Sequence, residues 1–149
     1  MNPDFRDMLS AFFAEGVEFI VVGAYALAAH GLPRATGDID LWVGTTGENP
    51  RRVRQALIRF GAPVETLSED DLRRPELIFQ IGIAPQRIDV LTSIDGVDFA
   101  EAWTNRLMTG VEGLAVPVLS RKHIIQNKRA AGRPQDLADV ERLEAQDEA

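Results

Sequence analysis

Asp38 and Asp40 stand two residues apart in "GDIDLWV", inside a run otherwise suited to a buried strand. Successive strand side chains alternate faces, so the two acids share one face while Ile39 and Leu41 share the other. Two carboxylates that close repel and resist joint ionisation unless a cation sits between them. Ionised carboxylates are hard oxygen ligands for Mg²⁺, which takes one or two of them together with substrate phosphates. Asp89, in "RIDVLT", is a third acid within an apolar strand pattern. Three acids on neighbouring strands can hold two metals, roughly 3.5–4 Å apart, across an in-line phosphoryl transfer. The plainer alternative is an exposed strand end, with Asp38 as a turn residue after Gly37. An Asp-x-Asp pair alone also occurs in sugar transferases and calcium loops.

The segment before the pair, "VVGAYALAAHG", runs from a strand straight into a helix at Gly23. Glycine lets backbone N–H groups approach an anion, and a helix start adds partial positive charge for a phosphate. The plainer alternative is a turn glycine, but with the acidic strand downstream the phosphate-binding reading is favoured. Arg34 and Thr36 lie between that helix and the acidic strand, within reach of triphosphate oxygens or simply in a solvated loop. His30 and His123 read as polar cap or surface residues rather than bases. Tyr25 reads as a packing residue, Trp42 as a border of the acidic face, and Trp103 as core.

The elements that must position these groups follow from periodicity. Phe5, Met8, Leu9, Phe12 and Phe13 recur at helical spacing, and Gly16 can cap that helix. "VEFIVVG" and "DIDLWVG" read as strands. Pro50 suits the first turn of a helix running to about Phe60. Ser68 with Asp71 resembles a helix start, and "ELIFQIGIAPQRIDVLT" a hairpin turning at Ala84, Pro85 and Gln86. Phe99 to Trp103 reads as a helical turn. "AVPVLS" reads as an edge strand, because Pro117 cannot donate to a ladder. Ser120 opens a helix to about Ala131, Gly132 stops it, and Pro134 starts the last one. This order indicates an α+β (mixed α/β) fold, a mixed sheet of about five strands flanked by helices, with C-terminal helices. GxGxxG is absent, which argues against a doubly wound dinucleotide fold.

The chain has 149 residues, 45% hydrophobic and 26% charged, as expected of one domain spanning 1–149. No apolar run approaches the roughly 20 residues of a membrane span, so no membrane partner is expected. With no cysteine and no signal-like N-terminus, a cytoplasmic location is expected. A net charge of −7 disfavours a protein whose main task is wrapping nucleic acid. Even so, Arg121, Lys122, Lys128, Arg129 and Arg133 form an acid-free basic run that leaves a local phosphate-facing patch open.

"VVGAYALAAHG", "RATGDIDLWV" and "RIDVLT" together resemble the polymerase-β-like nucleotidyltransferase superfamily. More closely, "HGLPRATGDIDLWV" with "SRKHIIQNKRAAGRPQDLADVERL" is similar to small bacterial nucleotidyltransferases grouped with AbiEii-type toxins. The resemblance implies a glycine motif at Gly23 and Ala24 and a Mg²⁺ (or Mn²⁺) site made by Asp38, Asp40 and Asp89. It further implies nucleotide contacts from Lys122 and Lys128, alongside Arg34 and Thr36. Asp136 and Asp139 read as structural, orienting Lys128 or Arg133. Ala24 departs from the family's usual glycine or serine and loses a hydroxyl while keeping its backbone N–H. The implied reaction moves a nucleoside monophosphate, for instance from ATP, to an acceptor and releases pyrophosphate. The acceptor is open between tRNA, a partner protein and an aminoglycoside-like molecule, and a toxin role would bring a cognate antitoxin. A catalytically silent domain of the same fold, binding a nucleotide or partner, is the alternative.

Overall fold

In the computed structural model, residues 2–34, 37–83, 86–111 and 113–146 are described. Helix α1 (Pro3–Ala14) leads into β1 (Phe19–Val22), α2 (Gly23–Ala29) and β2 (Ile39–Val43). Then come α3 (Asn49–Phe60), a single 3-10 turn (Asp71–Arg73), β3 (Ile78–Ile81) and β4 (Ile88–Leu91). The chain ends with α4 (Phe99–Thr104), β5 (Leu107–Val111), β6 (Leu114–Val118), α5 (Arg121–Ala131) and α6 (Pro134–Ala145).

Six strands form one mixed sheet in the order β3-β4-β2-β1-β6-β5. The expected mixed α/β architecture is what forms, with one strand more than anticipated. That extra strand is β5, whose "LMTGV" has no apolar alternation to announce it and takes its order from antiparallel pairing with β6. Its presence also moves β6 inward, between β5 and β1. Pro117 is tolerated on this internal strand because the parallel pairing with β1 is confined to Val118 opposite Val21, one residue past the proline. The Ser68–Asp71 signal produces reciprocal hydrogen bonds, 3.0 Å each, yet supports only the 3-10 turn. The hairpin of β3 and β4 is present; Ala84 and Pro85 of its proposed turn lie outside the described residues. No helix among the described residues is long and apolar enough to cross a membrane.

The core gathers around β1 and β2, whose apolar side chains are almost fully buried with Phe5, Met8 and Phe12 of α1 and Val53 and Leu57 of α3. Trp42 belongs to this core. It is 1% exposed and meets Phe99 edge-on at 5.0 Å, so it packs below the acidic end of its face rather than bordering a pocket. Trp103 is only partly buried, stacked on Phe99 with the Arg106 guanidinium over its ring.

Asn49 fastens the opposite end of the two central strands. Its Oδ1 accepts the Glu18 N–H (2.7 Å), and its Nδ2 donates to the carbonyls of Glu18 (3.0 Å) and Gly44 (2.7 Å). Asn49→Ala would take this partner from the Glu18 N–H and the Gly44 carbonyl at a site only 5% exposed, while the Glu18 carbonyl keeps the Gly44 N–H at 3.2 Å. The expected loss is about 2 kcal/mol, read as a lower urea midpoint with an unchanged slope.

Candidate active site

The strand register decides which acids meet. β1 and β2 are antiparallel with Val22 opposite Asp40, and β2 and β4 are parallel with Asp40 opposite Asp89. Three adjacent strands therefore bring Val22, Asp40 and Asp89 to one level at one end of the sheet, with Gly23 the next residue past β1. Asp38 lies just before β2, half-buried, with its Oδ1 accepting the Arg87 backbone N–H at 2.8 Å.

Gly23 is required here on two counts. Its φ of +69° is a left-handed value that other residues adopt at a cost, and a Cβ would land on the Asp40 carboxylate. Helix α2 is only seven residues long, so close backbone approach to Asp40 matters more than its small dipole. Gly23→Ala is expected to destabilise the protein by roughly 1–3 kcal/mol and to displace the Asp40 side chain. Thermal unfolding would read the first effect and a crystal structure of the variant the second.

Asp40 and Asp89 are register partners on adjacent parallel strands, so their like charges are brought together in a place partly shielded from water. Burial first, then the charges of Asp89 and Asp38, push the Asp40 carboxyl up from 3.8 to about 6. Arg87 opposes that rise and also organises its neighbours. Its Nε donates to Asp89 Oδ1 at 2.7 Å and its Nη2 to Asp89 Oδ2 at 3.2 Å, with Asp38 Oδ2 3.6 Å from Nη2. Among the described residues no group of three or more His, Cys, Asp or Glu side chains is gathered closely enough to hold a metal ion. Asp89 and Asp38 instead turn to the Arg87 guanidinium. In donor chemistry the three acids still suit Mg²⁺ or Mn²⁺. They are hard oxygen donors, Asp40 and Asp89 at one level and Asp38 held just before β2 by the Arg87 N–H.

Arg87 precedes Asp89 by two residues and stands outside the motifs that mark the acids in the sequence. A spacing of two on an extended chain puts both side chains on one face, and that was the available signal.

The remaining expected residues fall into two groups. Ala24 and Arg34 line a small cavity of about 140 Å³ with Tyr25 and Ala28. Arg34 also reaches across to the fully buried Asp139 of α6. Lys128 pairs with the same Asp139 (3.0 Å) and with Asp136 (3.4 Å), and Arg133 holds Asp136 at 2.7 Å. Burial would raise Asp139, yet the hydrogen bonds from Lys128 and Arg34 outweigh it and hold the carboxyl below 3.8. Asp136 and Asp139 thus neutralise and orient these cations. Lys122 stands exposed in the first turn of α5, lining a 450 Å³ cavity with Arg121, Ile125, Gln126, Arg129 and Glu144. Thr36 lies outside the described residues.

His30 is the C-cap of α2, with Nε2 2.8 Å from the Leu119 carbonyl oxygen. His123 is not a surface residue. It is 2% exposed, with Nδ1 3.1 Å from Ser120 Oγ, because Ser120 caps α5 and turns His123 inward.

A family described as nucleotidyltransferases of unknown function (DUF6036) matches residues 8–148. The chain belongs to that family. Its fold is similar to the crystal structure of a Thermotoga maritima protein provisionally named a nucleotidyltransferase. The TM-score is 0.58 at 16% identity, covering 99% of this chain and 93% of that one. At that identity the likeness speaks for the fold alone.

Two curated plant proteins also match in part. NAD-dependent malic enzyme of Amaranthus hypochondriacus is 34% identical over 98 residues, or 59% of this chain. NAD-dependent malic enzyme 1 of Arabidopsis thaliana is 33% identical over 110 residues, or 66% of this chain. The chain spans only 15% and 16% of those enzymes' lengths.

Proposed function

We propose that this family member is a divalent-metal-dependent nucleotidyltransferase that moves a nucleoside monophosphate from an NTP to an acceptor hydroxyl or phosphate. The observation that carries this reading is the register that sets Asp40 opposite Asp89, with Gly23, just past the end of β1, against the Asp40 carboxylate and Asp38 just before β2. Asp38 and Asp40 would hold Mg²⁺ or Mn²⁺, and Asp89 would complete the set once released from Arg87. When bound, the cation neutralises triphosphate charge along the reaction path. The chain's own work is positioning. Gly23 brings main-chain N–H groups toward the phosphates without a side chain in the way. Asp89 accepts the proton of the acceptor hydroxyl, and the α2–β2 loop, tied to Asp139 through Arg34, fixes where Asp38 and Asp40 begin. Arg34, Lys122 and Lys128 are the cations nearest this role by resemblance, with Lys128 first having to give up part of its hold on Asp136 and Asp139.

The catalytically silent alternative draws support from Arg87, which engages both oxygens of Asp89, and from Ala24. Incubation with Mg²⁺, each labelled NTP and separate pools of tRNA, protein and aminoglycosides distinguishes the two. Label transfer lost in Asp40→Asn supports the enzyme; nucleotide binding without transfer in any pool favours the silent domain. Kinship with AbiEii-type toxins belongs to the same proposal. It predicts growth arrest on expression, relieved by a cognate antitoxin and absent for Asp40→Asn.

A further inference from the structure

The guanidinium of Arg87 sits where a cation would have to act. It forms two parallel hydrogen bonds to the carboxylate of Asp89, at 2.7 and 3.2 Å, and approaches Asp38 Oδ2 at 3.6 Å. A bidentate arginine pair uses the same oxygen lone pairs that a hard metal needs. We propose that Arg87 and a divalent cation compete for the carboxylate oxygens of Asp89 and Asp38, so that the cation binds by turning the Arg87 side chain out of the site. This deepens the metal-dependent reading above and rests on it.

Three features make the exchange mechanically simple. The Arg87 side chain is 30% exposed, so it can swing into solvent without opening the core. Its backbone stays tied on both sides, the N–H to Asp38 Oδ1 at 2.8 Å and the carbonyl accepting from the Ile39 N–H at 3.0 Å. Asp38 therefore keeps its place while the guanidinium leaves. Charge favours the trade as well. Three clustered acids carry more negative charge than one arginine cancels, and a divalent ion answers more of it in the same space. Arg87 would thereby make metal affinity modest and hold the ligand carboxylates in order between metal-binding events.

The test is Mn²⁺ titration by calorimetry and by loss of the free-ion EPR signal, in the full chain and in Arg87→Met, Arg87→Lys and Asp40→Asn. Direct competition is a coupling between two ligands for one site, so Arg87→Met is expected to bind Mn²⁺ roughly 5–150-fold more tightly than the parent. Arg87→Lys keeps the charge but cannot form the fork, and is expected to fall between them. If Arg87→Met were unable to fold, Arg87→Lys would carry the comparison alone. Equal or weaker binding in Arg87→Met overturns the exchange and leaves the metal reading standing. Lysine matching the parent while methionine binds tighter also overturns it, since the effect is then one of field and not of shared oxygens. Absence of Mn²⁺ binding in every protein, or binding untouched by Asp40→Asn, overturns the metal reading and the exchange together.

Discussion

Asp40→Asn is expected to lower nucleotidyl transfer by roughly 10³-fold while making the metal-chelated protein more stable at neutral pH. The first effect follows from the proposed metal-dependent reading, in which Asp40 would be a charged metal ligand and its loss would cost several kcal/mol of the barrier. The second follows from the strain that the carboxylate carries. Burial, then the charges of Asp89 and Asp38, raise its pKa from 3.8 to about 6, so the folded protein binds that proton more tightly than the unfolded chain. Below about pH 4 the group is neutral in both states and imposes no penalty. Between about pH 4 and 6 stability falls as pH rises, and above about 6 the whole penalty is present, roughly 2 kcal/mol after solvent screening. Urea unfolding in EDTA at pH 4.5 and pH 7.5 would read it. The variant should gain on the parent mainly at the higher pH, and a variant less stable than the parent at pH 7.5 would show the carboxylate to be unstrained. Saturating Mg²⁺ should stabilise only the parent.

The second large effect is expected at Asp139→Ala, with a loss of about 3 kcal/mol in stability. Asp139 is wholly buried and receives Arg34 from the α2–β2 loop, Lys128 from α5 and Gln135 from its own helix. Removing one member of a buried ion network leaves the others desolvated without compensation, which costs far more than the pair gains when intact. Asp139 titrates below 3.8 in the folded protein, so its contribution is present above about pH 4 and disappears as pH falls through the depressed value. The difference between parent and Asp139→Ala in urea midpoint should therefore be full at pH 7 and shrink toward pH 3. The same variant unties the loop that delivers Asp38 and Asp40. Transfer is expected to fall even at temperatures where the variant stays folded, whereas a purely global role would leave activity intact below the melting transition.

Much of this arrangement was legible in local chemistry. Gly23, Asp38, Asp40 and Asp89 stand out because a strand-end glycine and acids in apolar strands break the pattern around them. The helices announced themselves through caps, Ser120 before α5 and Pro134 at the start of α6. β5 did not, because its five residues hold their order by pairing and not by pattern. The pairing of Lys128 with Asp136 and Asp139, eight and eleven residues on, was legible in the sequence, but the burial of its side chain between them was not. Helix α6 folds back along α5 to bring those acids to it, and no spacing rule within one helix reports that.

The sequence by itself determined which side chains have chemistry to offer and which strands and helices carry them. Alternation along a strand, turn residues and helix caps are local effects, set within a few bonds of each residue. Tertiary contacts alone set Asp40 opposite Asp89, Gly23 against the Asp40 carboxylate, and the Arg87 guanidinium on Asp89 and Asp38. Those outcomes depend on strand order and register, which are fixed by burying the central strands between partners distant in the chain. They also depend on electrostatics that arise only once like charges have been brought together out of water.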